Sequence, residues 1–180
     1  MSKTKLLTVG AICAAMAFVL NQITIGGLPQ GGSTTLGSML VIALAGYWLG
    51  PLYGILVGIT VGLLDTITGV WFVHPIQYLL DYPIAYGALG ISGFFKSDKF
   101  GKYALHIGYT LGVLARFLSV FLAGIIFWGH FAPEGQPVAL YSLLYNSTYI
   151  VPELIFSLIL ISIPTIKITL DRLSTTLHNT

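Results

Sequence analysis

Residues 6–64 read LLTVGAICAAMAFVLNQITIGGLPQGGSTTLGSMLVIALAGYWLGPLYGILVGITVGLL, and none of these 59 residues is Asp, Glu, Lys or Arg. A helix that crosses a bilayer needs about 20 mostly apolar residues, so this stretch has room for nearly three crossings. Across the chain, 56% of the 180 residues are hydrophobic and 8% are charged, against about 25% charged residues in soluble domains. The composition excludes a soluble globule and a disordered chain, and it indicates an integral membrane protein.

Residue counts exclude further classes of function. A net charge of +2 over 180 residues is too small for a nucleic-acid-binding surface. The single cysteine, Cys13, has no partner for an internal disulfide. The sequence has no group of His, Cys and carboxylate residues with metal-ligand spacing and no Walker-type phosphate-binding motif. We therefore expect no metal and no cofactor, and if the protein moves a solute uphill, the energy has to come from elsewhere.

Glycine, proline and charged residues divide the apolar sequence into segments. The main breaks are the Gly- and Pro-rich residues 26–33, the pair Gly50-Pro51, and the charged residues 96–102, because such residues favour turns and loops. The resulting prediction is an all-α, six-transmembrane-helix bundle in one integral membrane domain, residues 1–180. The predicted spans are residues 6–25, 35–49, 51–69, 76–95, 103–128 and 140–166, followed by a polar tail from Lys167 to Thr180.

The basic residues predict the orientation of this bundle. Six crossings put both termini and residues 96–102 on one side of the membrane. That side then holds seven of the eight basic residues: Lys3, Lys5, Lys96, Lys99, Lys102, Lys167 and Arg172. Since Lys and Arg accumulate in cytoplasmic loops, we expect both termini to be cytoplasmic.

Four ionisable residues fall within or at the ends of the predicted spans, where charge is costly and often functional. Arg116 and Glu153 both lie about 20 Å from the cytoplasmic end at 1.5 Å per residue, so we predict that they form a buried structural pair. Asp65, near the outer end of the third span, is expected to be a helix-end residue exposed to water.

Asp81 lies in the outer half of the fourth span, between Tyr78 and Tyr82. The outer ends of other spans carry further aromatic residues, including Trp128 and Tyr141. A carboxylate among aromatic rings suits a flat organic cation, because it supplies charge while the rings supply stacking and cation–π attraction. The alternative is that these aromatics are only membrane-interface anchors, where Trp and Tyr are enriched.

Small residues at helical spacing predict close helix packing. Gly50, Gly54, Gly58 and Gly62 recur every four residues, which places them on one helix face that another backbone can approach. Ala11 and Ala15 form a similar face on the first span, and the alternative for that face is a docking surface for another membrane subunit.

Three segments together carry a family resemblance. Leu28-Pro29-Gln30-Gly31-Gly32-Ser33, residues 74–82 (HPIQYLLDY) and the run from Ala123 to Pro133 leading to residues 141–146 (YSLLYN) resemble the thiamine-specific substrate-binding subunits of energy-coupling factor vitamin transporters. The resemblance covers nearly the whole chain. It implies a non-enzymatic subunit of the bacterial cell membrane that binds thiamine from outside.

The resemblance also implies site residues and partners. The family pocket lies at the outer ends of helices four to six under the first outer loop. It implies that Asp81 engages the aminopyrimidine and that Tyr82, Gly124, Trp128, Tyr141 and Asn146 hold other pocket positions; we add Tyr78 as a neighbour of Asp81. It further implies that Ala11 and Ala15 dock on a transmembrane coupling subunit, which works with two cytoplasmic ATPases.

One position departs from the family pattern. Val120 stands where the family commonly has a histidine, one helical turn before Gly124. An apolar side chain removes a hydrogen-bonding partner there, so a pyridoxine-like or hydroxymethylpyrimidine compound is the alternative ligand.

A second alternative comes from another class of protein. Gly90-Ile91-Ser92-Gly93 has the Gly-x-Ser-Gly form of rhomboid intramembrane serine proteases, and His106 is the candidate base. The motif is four common residues in a chain with 21 glycines, and a serine–histidine pair needs a geometry that this sequence does not indicate. Helix packing explains Gly90 and Gly93 better.

Overall fold

The computed structural model describes residues 1–28, 32–96 and 98–179. Within these ranges, six mainly apolar helical segments form a bundle, with a short hairpin after the first of them. The helices are α1 (Lys3–Asn21), α2 (Ser38–Leu49), α3 (Pro51–Asp65), α4 (residues 75–95), α5 (Ala104–Phe127), α6 (Val138–Ser162) and the C-terminal α7 (Pro164–Asn179), and the strands are β1 (Thr24–Gly27) and β2 (Ser33–Thr35). The predicted all-α polytopic membrane fold is confirmed.

Three of the helices are long and apolar enough to cross a membrane by themselves. They are Lys3–Asn21, Phe100–Phe127 and Val138–Ser162. Helices α2 and α3 are apolar but shorter, and Gly50 between them has a φ of 93°, a conformation that glycine adopts without steric cost. The predicted break at Gly50-Pro51 therefore ends α2 and begins α3.

Three of the predicted spans extend several residues past the ends of their helices in the structure, and one of them is the third, whose helix ends at Asp65 and not at residue 69. The first span ends at Asn21 and not near residue 25, because Thr24 and Ile25 pair with Thr35 and Thr34 in the antiparallel hairpin. The last span ends at Ser162, since Pro164 cannot continue the hydrogen-bonding pattern and begins a new helix instead. The predicted polar tail is thus mostly helical, and Pro29, Gln30 and Gly31 of the predicted outer loop lie outside the described residues.

Helix α4 changes its winding three times. It runs as α-helix over Pro75–Leu79, as π-helix over Leu80–Ile84, as α-helix over Ala85–Ala88 and as 3-10 helix over Leu89–Phe95. Pro83 lies inside the π-helical turn, where a proline has no N–H to donate and its ring displaces the preceding turn. π-Helical turns are often found at functional sites, and this one carries Asp81 and Tyr82.

Glycines bring α2, α3 and α4 into backbone contact. A Cβ atom on Gly54 would overlap Gly46 of α2, and one on Gly58 would overlap the Tyr86 carbonyl of α4. Gly90 of α4 faces Gly54 in the same way. The prediction that this glycine row packs helices inside the bundle is confirmed for Gly54, Gly58 and Gly62, whereas Gly50 is a helix cap with open space beside it.

Three lysines connect the N-terminus, the 96–102 connection and α7 at one end of the bundle. Lys5 donates to the carbonyl of Leu177 at 2.7 Å, and Lys96 donates to Ser174 Oγ at 3.0 Å. Lys167 donates to the carbonyl of Lys102. This shared end agrees with six crossings, and the hairpin lies at the opposite end.

Candidate functional site

A cavity of about 480 Å³ lies at the hairpin end of the bundle. That size falls within the range of small-ligand sites, about 300–1,000 Å³. Its walls come from the hairpin, from helices α1 to α6 and from residues 68–71 that follow α3. Most elements of the fold therefore contribute residues to the wall of this cavity.

Asp81 forms one wall of this cavity. Its Oδ2 atom accepts hydrogen bonds from Gln77 Nε2 at 2.6 Å and from Trp128 Nε1 at 3.2 Å. Gln77 is fully buried and also donates to the carbonyl of Trp71 at 3.0 Å. Both bonds to the carboxylate end on Oδ2, and among the described residues no donor reaches Oδ1, which leaves that oxygen for a ligand.

Aromatic side chains line much of the cavity. Trp71 and Trp128 meet edge to face, with ring centroids 6.2 Å apart. Tyr141, Tyr145 and Tyr149 recur every four residues on α6, with successive centroids 5.9 and 6.0 Å apart. Four-residue spacing places them on one helix face, so α6 presents a row of rings to the cavity.

Glu153 follows Tyr149 by four residues on the same face of α6, and it caps the N-terminus of α2. Its Oε1 accepts from the Met39 backbone N at 2.9 Å and from Ser38 Oγ at 3.5 Å. Its Oε2 accepts from the Thr35 backbone N at 3.3 Å and from the Thr35 hydroxyl. A carboxylate at a helix N-terminus satisfies otherwise unpaired N–H groups and the helix dipole, so Glu153 connects α6 to both α2 and β2.

Arg116 lies near Glu153 but does not pair with it. Its guanidinium carbon lies 3.9 Å from the centroid of the Tyr86 ring, and among the described residues no salt bridge joins it to Glu153. Arg116 is 9% exposed, and within residues 1–28, 32–96 and 98–179 its Nε and Nη1 atoms have no hydrogen-bond partner. Both residues are buried, as expected, but they are not in direct contact, because α2 and the hairpin already occupy both oxygens of Glu153.

Asp65 is also placed differently from the prediction. Its Oδ1 accepts from Asn21 Nδ2, and its Oδ2 accepts from the Tyr86 hydroxyl at 2.9 Å. It is the last residue of α3, as predicted, but it lines the cavity and makes these contacts instead of being exposed to water. The contacts of Asp65 join the outer ends of α1 and α3 to α4.

Six of the seven residues predicted for substrate binding lie on the cavity wall: Asp81, Tyr82, Gly124, Trp128, Tyr141 and Asn146. Tyr78 does not; it packs on Tyr82 and Phe72, with centroids 5.5 and 6.0 Å away. Val120 lines the wall one turn before Gly124 on α5, so this part of the wall is apolar.

Sequence reasoning missed several residues of the cavity wall. The tyrosine row on α6 was readable from its four-residue spacing. Asn21, Gln77 and Tyr86 carried no such signal, because their roles depend on contacts between different helices, such as that of Asn21 with Asp65.

The proposed protease pair is not assembled. Ser92 is fully buried and donates to the carbonyl of Ala43. His106 Nε2 instead lies 3.2 Å from Ser162 Oγ. The two residues therefore have different partners, and Ser92 serves helix packing.

The face of α1 that carries Ala11 and Ala15 is exposed, whereas Ala14 is buried in the bundle. Leu7, Ile12, Met16 and Val19 on the same helix are 52–64% exposed. The outer side of α1 is thus apolar, with small side chains at two positions on it.

The chain is similar to known transport proteins. A model of the thiamine transporter protein family matches residues 7–172. The thiamine transporter ThiT of Bacillus subtilis (strain 168) is 37% identical over 84% of this chain and 85% of its own, and ThiT of Lacticaseibacillus paracasei is 35% identical over 55% and 52%. A solved structure of ThiT from Listeria monocytogenes matches with a TM-score of 0.77 and 28% identity, over 88% of this chain and 91% of that chain.

Proposed function

The chain belongs to the thiamine transporter protein family, and from this premise we propose that it is a membrane subunit that binds thiamine in the cavity beside Asp81. Membership of a transporter family also confirms that the chain is not an enzyme, so the protease alternative is wrong. The alternative ligands are a pyridoxine-like or a hydroxymethylpyrimidine compound, since Val120 leaves one wall without a polar side chain.

The charge of the cavity is the observation that supports thiamine best. Three carboxylates line it, Asp65, Asp81 and Glu153, against one guanidinium, Arg116. Their formal sum is three negative charges and one positive, a net charge of −2. Thiamine carries a permanent positive charge on its thiazolium ring, which such a cavity attracts, and the aromatic walls add stacking and cation–π attraction.

Each wall then has a distinct task in binding. Asp81 offers its Oδ1 atom to the ligand while Gln77 and Trp128 hold the carboxylate in place. Gly124 lines the cavity where α5 packs closely against Ser142 of α6, and Tyr141 with the ring of Trp128 supplies flat surfaces. Binding involves no covalent step.

The transport cycle requires a partner in this proposal. A cavity that binds its ligand tightly releases it only when something else stabilises another conformation. We assign that role to an energy-coupling factor complex, with a transmembrane coupling subunit and two cytoplasmic ATPases. The exposed Ala11 and Ala15 face supports docking there, and the clustered lysines support cytoplasmic termini in a bacterial cell membrane.

The ligand assignment predicts that purified protein binds thiamine more tightly than pyridoxine or hydroxymethylpyrimidine. Only thiamine combines the aminopyrimidine with a permanent cation, so we expect an affinity at least about 100-fold higher, because close charge pairs contribute several kcal/mol. Calorimetry with the three compounds in parallel measures this, and tryptophan fluorescence gives a second readout through Trp128. Tighter binding of pyridoxine or hydroxymethylpyrimidine would show that this compound, and not thiamine, is the ligand. If none of the three compounds binds, the ligand assignment is wrong.

The docking assignment predicts that Ala11→Trp and Ala15→Trp abolish thiamine uptake by cells that express the partner complex. A bulky ring prevents close helix approach at these positions. The cavity should keep its affinity for thiamine, because the α1 residue that lines it is Asn21, six residues after Ala15. Thiamine binding by the purified variants is the internal control, and Ile12→Trp on the neighbouring exposed position is the matched substitution. Normal uptake by both alanine variants would contradict docking through this face.

A further inference from the structure

Arg116 is a buried, charged side chain of the cavity that lacks, among the described residues, hydrogen-bond partners for two of its nitrogen atoms. It is 9% exposed and lines the cavity, yet its Nε and Nη1 atoms have no hydrogen-bond partner within the part of the chain that the structure describes. Burying a charged group without partners is costly, and buried donors are nearly always satisfied. A group that binds in the cavity and accepts hydrogen bonds would relieve this cost.

The guanidinium is held against the Tyr86 ring, with its carbon 3.9 Å from the ring centroid. The Tyr86 hydroxyl donates to Asp65 Oδ2 at 2.9 Å and also lies 3.2 Å from Asn21 Oδ1, which fixes the ring. The unpartnered Nε and Nη1 atoms are shielded from solvent, so a ligand has to displace the side chain or the cavity wall before these N–H groups can donate to it.

Arg116 lies on α5 farther from the hairpin end of the bundle than Trp128 does. It precedes Trp128 by twelve residues, about 18 Å at 1.5 Å per residue. Asp81, Tyr86 and Arg116 nevertheless line the same cavity. A ligand that fills the cavity therefore lies between elements that carry the carboxylate and the guanidinium.

The acceptor that fits this place is uncharged. Asp65, Asp81 and Glu153 surround the cavity with negative charge, so an anionic group would be repelled there despite Arg116. An aminopyrimidine ring presents the complementary pattern, because its amino group is a donor and the ring nitrogen across from it, N1′, is a neutral acceptor.

We propose that Arg116 is a ligand-binding residue that donates a hydrogen bond to N1′ of the pyrimidine while Asp81 accepts from the amino group on the opposite side. This inference rests on the proposed function, since it assigns the orientation of thiamine within the cavity. It gives Arg116 a role in specificity: the guanidinium selects a ring with an acceptor at that position over a ring with a C–H there.

The test compares thiamine with two analogues in which either N1′ or N3′ of the pyrimidine is replaced by C–H. Wild-type protein is expected to bind the N1′ analogue roughly 10- to 100-fold more weakly than thiamine, the effect of one hydrogen bond to a charged group. In Arg116→Met the two compounds should bind with nearly equal affinity, because methionine has no hydrogen-bond donor. The ratio between thiamine and the N3′ analogue should be the same in both proteins.

Arg172→Met, at the exposed second arginine of the chain, is the matched control and should keep the wild-type ratios. If Arg116→Met does not fold, Arg116→Leu, which also has no donor, supplies the same comparison. Equal affinity of wild-type protein for thiamine and the N1′ analogue, or an unchanged ratio in the Arg116 variant, would contradict this inference alone. Absence of thiamine binding by wild-type protein would contradict the proposed function itself.

Discussion

Asp81→Asn is expected to weaken thiamine binding by about 100-fold or more while leaving the fold intact. Asparagine keeps an acceptor oxygen for Gln77, which donates to Asp81 at 2.6 Å, so the local structure retains one of its two anchors. The negative charge is lost, however, and removal of one partner from a buried charge pair commonly costs 2–5 kcal/mol. Calorimetric titration of the purified variant with thiamine measures the change.

Asp171→Asn is the matched control for this experiment. Asp171 is exposed on α7, which packs at the lysine-rich end of the bundle, so the same loss of charge there should leave the affinity unchanged. Equal affinities of wild type, Asp81→Asn and Asp171→Asn for thiamine would show that Asp81 does not contribute to binding.

Glu153→Gln is expected to destabilise the protein by about 1.5–3 kcal/mol, the usual contribution of a hydrogen bond to a charged group, and to lower its Tm by about 3–12 °C. Each carboxylate oxygen of Glu153 accepts from two donors, on Ser38 and Met39 at one oxygen and on Thr35 at the other. Glutamine has only one acceptor oxygen, so its amide N–H₂ must face donors of either α2 or β2. Thermal unfolding in detergent measures the loss.

The control is Glu134→Gln, in the exposed connection between α5 and α6, which should unfold at the wild-type temperature. Because Thr35 belongs to the hairpin that lines the cavity, Glu153→Gln should also bind thiamine more weakly at a temperature where it remains folded. A wild-type Tm for Glu153→Gln would show that the four hydrogen bonds contribute nothing to stability.

The fold was predictable because charge placement and breakers carry strong signals in a membrane protein. The pair Gly50-Pro51 ended one helix and began the next as expected, and the glycine row at Gly54 and Gly58 packs against α4. The hairpin was not predictable, since strand pairing of Thr24 with Thr35 depends on tertiary contacts that no local pattern records. The winding of α4 around Pro83 was missed for the same reason.

The part of the site around Asp81 and the aromatic rings was predicted from the sequence, whereas the contacts of Arg116 and Glu153 were not. Asp81, Trp128 and Tyr141 combine residue types that suggest cation binding with positions that share one membrane depth. Arg116 and Glu153 were also identified as buried at similar depth, but depth does not determine partners. The capping of α2 by Glu153, and the stacking of Arg116 on Tyr86, depend on how three helices meet.

The most direct test of thiamine binding in the cavity is an experimental structure of the protein with thiamine bound. We predict one thiamine per chain inside the cavity, with its pyrimidine ring between Asp81 and Arg116 and its rings against Trp128 and Tyr141. Thiamine bound elsewhere on the protein, or a cavity that stays unoccupied at saturating thiamine, would contradict it.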